Sequence, residues 1–249
     1  MSIFLSGLLI GAVMGLTGSG GALVAIPLFM YVLSMGLKEA TGFSLVAVIL
    51  AALINLVSQY KRADAKTAAL LIPFSIAGSY FSIPLKALTP DLVIVGLLAL
   101  ISMYSLWSVW SSTSVTTDVS EARPPRWVLT GIVGTGLGVL TTLTGLGGGV
   151  LLMPIFVGLF KLPAPMAVAT SLVAVALSSI FSLGFQVQAG AALPSVEQFL
   201  WLSLGIVVVA QGLKVLTQKI SQDTMALTRK IVFTFVVIFA MIKIIGESV

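Results

Sequence analysis

The chain has 249 residues, of which 58% are hydrophobic and only 8% are charged, and its formal net charge is +5 at pH 7. A soluble globular domain carries about 25% charged residues, so this sequence has too little polar surface to face water on every side. The composition therefore excludes a soluble fold and indicates a polytopic membrane protein. Because the chain contains no Cys and no His, thiol chemistry, disulfides and His-ligated metals are excluded too, and we predict no cofactor.

Ten apolar segments follow one another along the chain, and each is a predicted membrane helix. They cover residues 3–16, 21–35, 43–60, 67–85, 91–110, 127–143, 148–160, 165–186, 196–213 and 228–246. Several approach the roughly 20 residues that a spanning helix needs. The first two segments, and the sixth and seventh, are shorter, and each short pair flanks a cluster of glycines. A long polar stretch, 111–126, separates the first five segments from the last five.

The two halves of the chain repeat each other. A shift of 127 residues aligns positions 7–48 with 134–175 without a gap and gives 15 identities in 42 positions. The identities include both glycine clusters and the run Ser-Leu-Val-Ala-Val, which begins at Ser44 and again at Ser171. We therefore predict two membrane repeats joined by a polar linker. Their boundaries are 1–115, 116–126 and 127–249.

The two repeats could share one orientation in the membrane or be inverted. If each short pair is a hairpin that returns to its starting side, three further spans remain in each half, and the second half is inverted. That arrangement places ten of the 13 Lys and Arg residues in the cytoplasm, whereas the parallel one places six there. Because basic loops favour the cytoplasm, we predict an all-α fold of two inverted repeats, each a glycine-broken hairpin plus three transmembrane helices. This places the protein in the cell (inner) membrane with both termini outside; re-entrant and fully spanning hairpins both remain open.

The glycine clusters are the predicted binding site. Irregular backbone at membrane depth occurs only where it is buried in protein or lines a polar cavity. The helix after each cluster presents unbonded N–H groups and the positive end of its dipole, and both favour an anion. The predicted substrate-binding residues here are Thr17, Gly18, Ser19, Gly20, Gly21, Thr144, Gly145, Gly147 and Gly148. The alternative is that these glycines only permit close helix packing or tight turns.

Other polar side chains lie farther along the helices that follow. Asn55, Gln59 and Gln186 could bridge helices, or they could gate or line a substrate path. Ser44 and Ser171 could bind substrate, or they could cap or bond back to their own helices. No span has a clear mid-membrane charged residue, which argues against a side-chain proton relay. Without His or a well-placed base for a Ser nucleophile, an enzyme is not expected.

The sequences GLTGSGGALVAIP and TGLGGGVLLMP, each followed by SLVAV, resemble the sulfite exporter TauE/SafE family of membrane permeases. The resemblance covers nearly the whole chain. It implies transport of sulfite or a related sulfur-containing anion, such as an organosulfonate or thiosulfate. It also implies that Ser44 and Ser171 line the substrate path with the breaks. Thr170, which precedes Ser171, is a further candidate for substrate binding. The first repeat has Phe43 where the second has Thr170, so a site that uses this hydroxyl would be asymmetric.

The predicted function is therefore a secondary transporter or facilitator of a small sulfur-containing anion. Its predicted partners are that anion and the lipid bilayer, with no nucleic acid, because the basic residues lie in short loops between apolar runs. Two alternatives stay open, namely a transporter of another small anion and a membrane accessory subunit with no flux of its own. The sequence does not give the oligomeric state.

Overall fold

A computed structural model describes residues 2–17, 22–57, 59–111, 127–191 and 193–217, together with helical positions 231, 234, 235, 238 and 242. Within these ranges the chain forms nine α-helices and one short 3-10 helix, and no strand. The α-helices are α1 (Ser2–Thr17), α2 (Ala22–Leu33), α3 (Leu37–Val57), α4 (Ala65–Leu88), α5 (Asp91–Ser111), α6 (Trp127–Thr144), α7 (Gly149–Gly158), α8 (Ala164–Gln188) and α9 (Val196–Thr217). The predicted linker 116–126 and most of the tenth predicted segment lie outside the described residues.

Each of the first nine predicted segments corresponds to one helix. The largest difference is at α3, which begins at Leu37 rather than at residue 43. Its first turns contain Lys38, Glu39 and Thr41. Because these residues are polar, the apolar run begins later in the sequence than the helix does. An acidic residue such as Glu39 in the first turn is favourable because it faces the positive end of the helix dipole.

Helix length divides these elements into two groups. Four helices, α3, α4, α6 and α8, are long and apolar enough to cross a membrane, and α1, α5 and α9 contain shorter apolar stretches. In contrast, α2 has 12 residues and α7 has 10. At 1.5 Å per residue they are about 18 Å and 15 Å long, roughly half of a 30 Å hydrocarbon core. Neither of them crosses a bilayer alone.

Polar and apolar side chains are distributed as lipid requires. Many of the buried side chains carry hydroxyl groups, and Ser75 and Thr142 are completely buried. Large apolar side chains lie on the outside instead, such as Phe81, Leu100 and Trp127. Exposing so many large apolar side chains to water would be unfavourable, whereas lipid tails solvate them. Hydroxyl groups in the interior can form hydrogen bonds between helices. The protein is a multi-pass membrane protein.

Glycines allow two helix pairs to approach closely, α1 with α9 and α6 with α4. A Cβ atom added at Gly7 would lie 2.7 Å from the carbonyl oxygen of Leu202, and one added at Gly134 would lie 2.7 Å from that of Leu71. Gly7 and Gly134 are equivalent positions of the sequence repeat. Each predicted half therefore packs its first helix against the fourth helix of the other half.

The centre of the protein is formed where α3, α4 and α8 meet. The backbone N–H of Asp64, which precedes α4, donates to Thr170 near the start of α8 at 2.9 Å. At the other end, Lys86 of α4 donates to Gln186 near the end of α8 at 2.7 Å. Gln186 also lies 3.6 Å from the Cβ position of Gly42, near the start of α3. Helix α8 therefore runs in the same direction as α4 and opposite to α3.

Candidate functional site

The second glycine cluster breaks the chain between α6 and α7. Three of its residues have left-handed backbone conformations, with φ of 69° at Gly145, 68° at Gly147 and 69° at Gly148. Residues with a side chain rarely adopt such angles, so glycine is needed for conformation here. Glycine is also needed for space, because a Cβ atom at Gly147 would lie 2.5 Å from a methyl group of Val48. The helix break expected from the sequence is present.

The break lies halfway along the long helices. The position of a Cβ atom on Gly147 is 2.5 Å from Val48 Cγ1, 3.1 Å from Val175 Cγ1 and 3.1 Å from Ser179 Oγ. Val48 is near the middle of α3, and Val175 is near the middle of α8. Because both helices are candidate membrane spans, the break lies close to the level that would be the bilayer midplane.

Hydrogen-bond donors surround this break. The backbone N–H groups of Gly147 and Gly148 donate to none of the described residues. The side-chain hydroxyls of Thr141 and Ser179 are fully buried and likewise have no partner in the described part of the chain. Ser179 Oγ lies 3.1 Å from the Cβ position of Gly147, and Thr141 Oγ1 lies 3.7 Å from that of Gly148. Buried polar groups are nearly always paired, so these donors are available to hydrogen-bond a polar ligand.

The hydroxyls predicted to bind substrate are already engaged within the protein. Ser44 Oγ is 2.8 Å from both the Thr41 carbonyl and the Gly145 carbonyl, and it holds α3 against the break. Thr144 donates to the carbonyl of Leu140 one turn earlier, at 2.6 Å. The bonds to Thr41 and Leu140 are of the kind that a Ser or Thr makes to its own helix, whereas the bond to Gly145 joins two elements.

Thr170 and Ser171 behave in the same way. Thr170 donates to the Met166 carbonyl at 2.7 Å and accepts the N–H of Asp64. Ser171 donates to the Val168 carbonyl at 2.8 Å. Thr170 therefore fastens the start of α4 to the start of α8, and the structure does not bring it to the break.

The first glycine cluster lies largely outside the described residues. Gly18, Ser19, Gly20 and Gly21 fall there, and Thr17 is the last residue of α1, with its side chain outside the description. The binding role predicted for these five residues stays a prediction.

The predicted gating residues occupy three different environments. Asn55 donates to the Ala51 carbonyl of its own helix at 2.9 Å. Gln59 is partly exposed and precedes the short 3-10 helix Tyr60–Arg62. Gln186 lies near the end of α8, as expected from the sequence. It is only 4% exposed, so neighbouring helices cover it.

Gln186 belongs to a buried polar cluster around Lys86, which the sequence reasoning treated as a loop residue. Lys86 lies in the last turn of α4 and is only 8% exposed. Its ammonium group donates to Thr41 Oγ1 at 2.7 Å, to Gln186 Oε1 at 2.7 Å and to the Lys38 carbonyl at 3.3 Å. These three contacts join α3, α4 and α8.

A signal for this lysine was present in the sequence. The run Leu-Lys-Ala-Leu-Thr that begins at Leu85 resembles Leu-Lys-Val-Leu-Thr beginning at Leu213, so both repeats carry a lysine near this place, one residue out of the 127-residue register. For Thr141 the signal was weaker. It lies in the run Thr-Thr-Leu-Thr that ends α6, and hydroxyls are common in membrane helices for packing reasons alone.

Comparison with known proteins agrees with this architecture. Searches of curated proteins and of solved structures give no match. The family model of the sulfite exporter TauE/SafE matches residues 3–244, which is nearly the whole chain and spans both sequence repeats. The chain belongs to the TauE/SafE sulfite exporter family of membrane transporters.

Proposed function

We propose that this protein is a secondary transporter or facilitator that moves sulfite, or a related sulfur-containing anion, across the cell membrane. The observation that carries the proposal is the break at Gly145, Gly147 and Gly148, where buried donors that have no partner among the described residues lie at mid-depth. Family membership supplies the substrate class, and organosulfonates and thiosulfate belong to the same class.

The chemistry of the break suits a small oxyanion. Sulfite presents three oxygen atoms around one sulfur, and each oxygen accepts hydrogen bonds. The N–H groups of Gly147 and Gly148 and the hydroxyls of Thr141 and Ser179 are all donors. None of these four groups carries a formal charge, so the site would bind an anion through dipoles and release it again. A transporter needs that balance between binding and release.

We also propose that the two repeats, 1–115 and 127–249, are inverted relative to each other. Helices α3 and α8 are equivalent in the sequence repeat, and they run in opposite directions. The pairs α1 with α9 and α4 with α6 are equivalent too, and each joins one half to the other. In an inverted pair of repeats, the first glycine cluster would approach the second near the midplane and complete the site.

The orientation is testable because the chain has no native Cys. Lys66 and Leu193 are equivalent positions of the two repeats, and both side chains are exposed. We expect Lys66→Cys to react with an impermeant maleimide only from the cytoplasmic side and Leu193→Cys only from outside. Labelling of both from the same side would refute the inversion, and with it the prediction that both termini are outside.

The transport proposal is tested in proteoliposomes that contain only this protein. We expect saturable sulfite flux that thiosulfate and taurine reduce and that chloride leaves unchanged. Equal competition by chloride would point to a general anion transporter. No flux of any of these anions, with monodisperse protein, would refute the proposal and favour an accessory subunit.

The break itself is tested in the same assay. We expect Ser179→Ala to raise the KM for sulfite about tenfold, since one hydrogen bond to a charged group is lost. Ser102→Ala is the matched control, because Ser102 is also buried but bonds to Leu98 of its own helix at 2.7 Å. Equal KM values for the two variants would exclude Ser179 from the site.

A further inference from the structure

The ammonium group of Lys86 is buried, and no described residue supplies a counter-ion for it. Its three acceptors are two side-chain oxygens and one carbonyl, all of them neutral. At this end of the protein, the described residues form one ion pair, and it joins Lys38 to Asp91 at 3.7 Å. Those two side chains are 41% and 60% exposed, so they lie at the surface, and Lys86 lies beneath them. The neutral acceptors satisfy its hydrogen bonds but leave its charge in place.

A structural role accounts for only part of this arrangement. The negative ends of the α4 and α8 dipoles are close to Lys86 and offset some of its charge. A Met or Leu at this position would fill similar space without any desolvation cost. Because ionisable residues within membrane segments usually have a functional role, we look for one for Lys86.

A continuous polar chain leads from Lys86 to the glycine break. Gln186 Nε2 lies 3.4 Å from Ser182 Oγ, and Ser182 Oγ lies 2.8 Å from Thr142 Oγ1. The next residue is Thr141, whose hydroxyl has no partner in the part of the chain that the structure describes. On the other side, Thr41 accepts from Lys86, and its carbonyl accepts from Ser44, which also bonds to Gly145. Ser82, one turn before Lys86 on α4, adds a buried hydroxyl with no partner in the described ranges.

We infer that Lys86, together with Thr41 and Gln186, forms a second anion-binding point between the surface and the break. This inference rests on the proposed function, since the anion is the transported one. A small oxyanion would replace the Gln186 Oε1 contact and accept a hydrogen bond from the ammonium group. It would accept a second one from the Thr41 hydroxyl, which would turn away from the Lys38 carbonyl that it now donates to at 2.8 Å. At this end of the protein, Lys86 would favour anions over neutral sulfur compounds. The uncharged break would then bind the substrate near the bilayer midplane.

The first test compares Lys86→Met with Lys38→Met. Both substitutions remove one positive charge from the same end of the protein, but Lys38 Nζ is exposed and its carbonyl contact to Lys86 is unaffected. We expect Lys86→Met to raise the KM for sulfite about tenfold to a hundredfold, the loss expected for a charge-assisted hydrogen bond. Lys38→Met should change KM by less than about twofold, because exposed charges are screened. Equal KM values for both variants would overturn the inference.

The second test, Gln186→Glu, keeps Lys86 and gives it a carboxylate partner of the same shape. Because the ammonium would then be neutralised internally, we expect the KM for sulfite to rise about tenfold while the melting temperature is unchanged or higher. If Lys86 were only structural, the melting temperature would change and KM would not. This variant decides the question even if Lys86→Met fails to fold.

Failure of the inference differs from failure of the proposed function. Wild-type protein without sulfite flux would refute the transport proposal itself. Wild-type flux with unchanged KM in Lys86→Met and Gln186→Glu would remove only the second anion-binding point.

Discussion

Replacing Gly147 by Ala introduces two separate strains at the break. The backbone φ of 68° is left-handed, and a residue with a side chain pays about 1–2 kcal/mol there. The new methyl group would also lie 2.5 Å from Val48 Cγ1 and 3.1 Å from Val175 Cγ1. Overpacking of this kind costs about 1–3 kcal/mol. We expect Gly147→Ala to lower the free energy of unfolding by about 2–5 kcal/mol in total.

The two contributions are separable with a second substitution. Val48→Ala removes the nearest methyl groups. The double variant should therefore regain the unfolding free energy lost to overpacking, about 1–3 kcal/mol, but not the free energy lost to the left-handed backbone conformation. The assay is thermal unfolding of the purified protein in detergent, together with initial rates of sulfite uptake. Uptake should fall in Gly147→Ala, because any shift of the break moves the N–H groups of Gly147 and Gly148.

Gly136→Ala is the matched control, since this glycine of α6 has nothing within 4 Å of its Cβ position. An alanine is favoured in a helix, so this variant should be unchanged or more stable by up to about 1 kcal/mol. The reasoning fails if Gly147→Ala unfolds at the same temperature as Gly136→Ala. It also fails if Val48→Ala adds its own cost to that of Gly147→Ala without compensation.

Further variants examine the helix contacts and the start of α4. Gly78→Ala should destabilise the protein by about 1–3 kcal/mol, because the new methyl group would overlap the Thr135 carbonyl. Gly96→Ala is its control, since Gly96 has open space around its Cβ position. Equal melting temperatures of the two variants would contradict the predicted overlap. Asp64→Ala should cost about 1 kcal/mol in thermal unfolding, since the Asp64 side chain caps α4 by accepting the N–H of Lys66 at 3.1 Å. An unchanged melting temperature would show that the cap contributes nothing.

The sequence predicted the helices well because lipid imposes a simple rule on composition. A spanning segment is predominantly apolar, so runs of apolar residues mark the middle of α3, α4, α6 and α8 directly. The start of α3 was predicted six residues late, since Lys38, Glu39 and Thr41 lie inside the helix. Lys38 and Thr41 are accommodated by contacts with Ala87 and Lys86 at the end of α4, and Glu39 is exposed. Hydropathy along the sequence does not record such contacts between helices.

The site was predicted in outline but not in its side chains. Glycines in register marked the break, because few other residues adopt its backbone angles. The hydroxyls were harder to assign, since a Ser in a membrane helix can bond to its own backbone or face a ligand. Ser44 bonds to backbone carbonyls, whereas Ser179 has no partner in the described residues. Lys86 was missed because its burial depends on α8, which lies about 80–100 residues away in sequence.

The pairing of α1 with α9 has a consequence for biosynthesis. Helix α1 ends at Thr17, and its packing partner begins at Val196, so most of the chain is translated before the pair can form. Contacts so distant in sequence form late in folding. Until then, the glycine-lined face of α1 must rest against lipid or against the cellular machinery that inserts membrane proteins. A ribosome that stalls before Val196 would leave that face uncovered, and we expect such truncated chains to be degraded rather than retained as half-proteins.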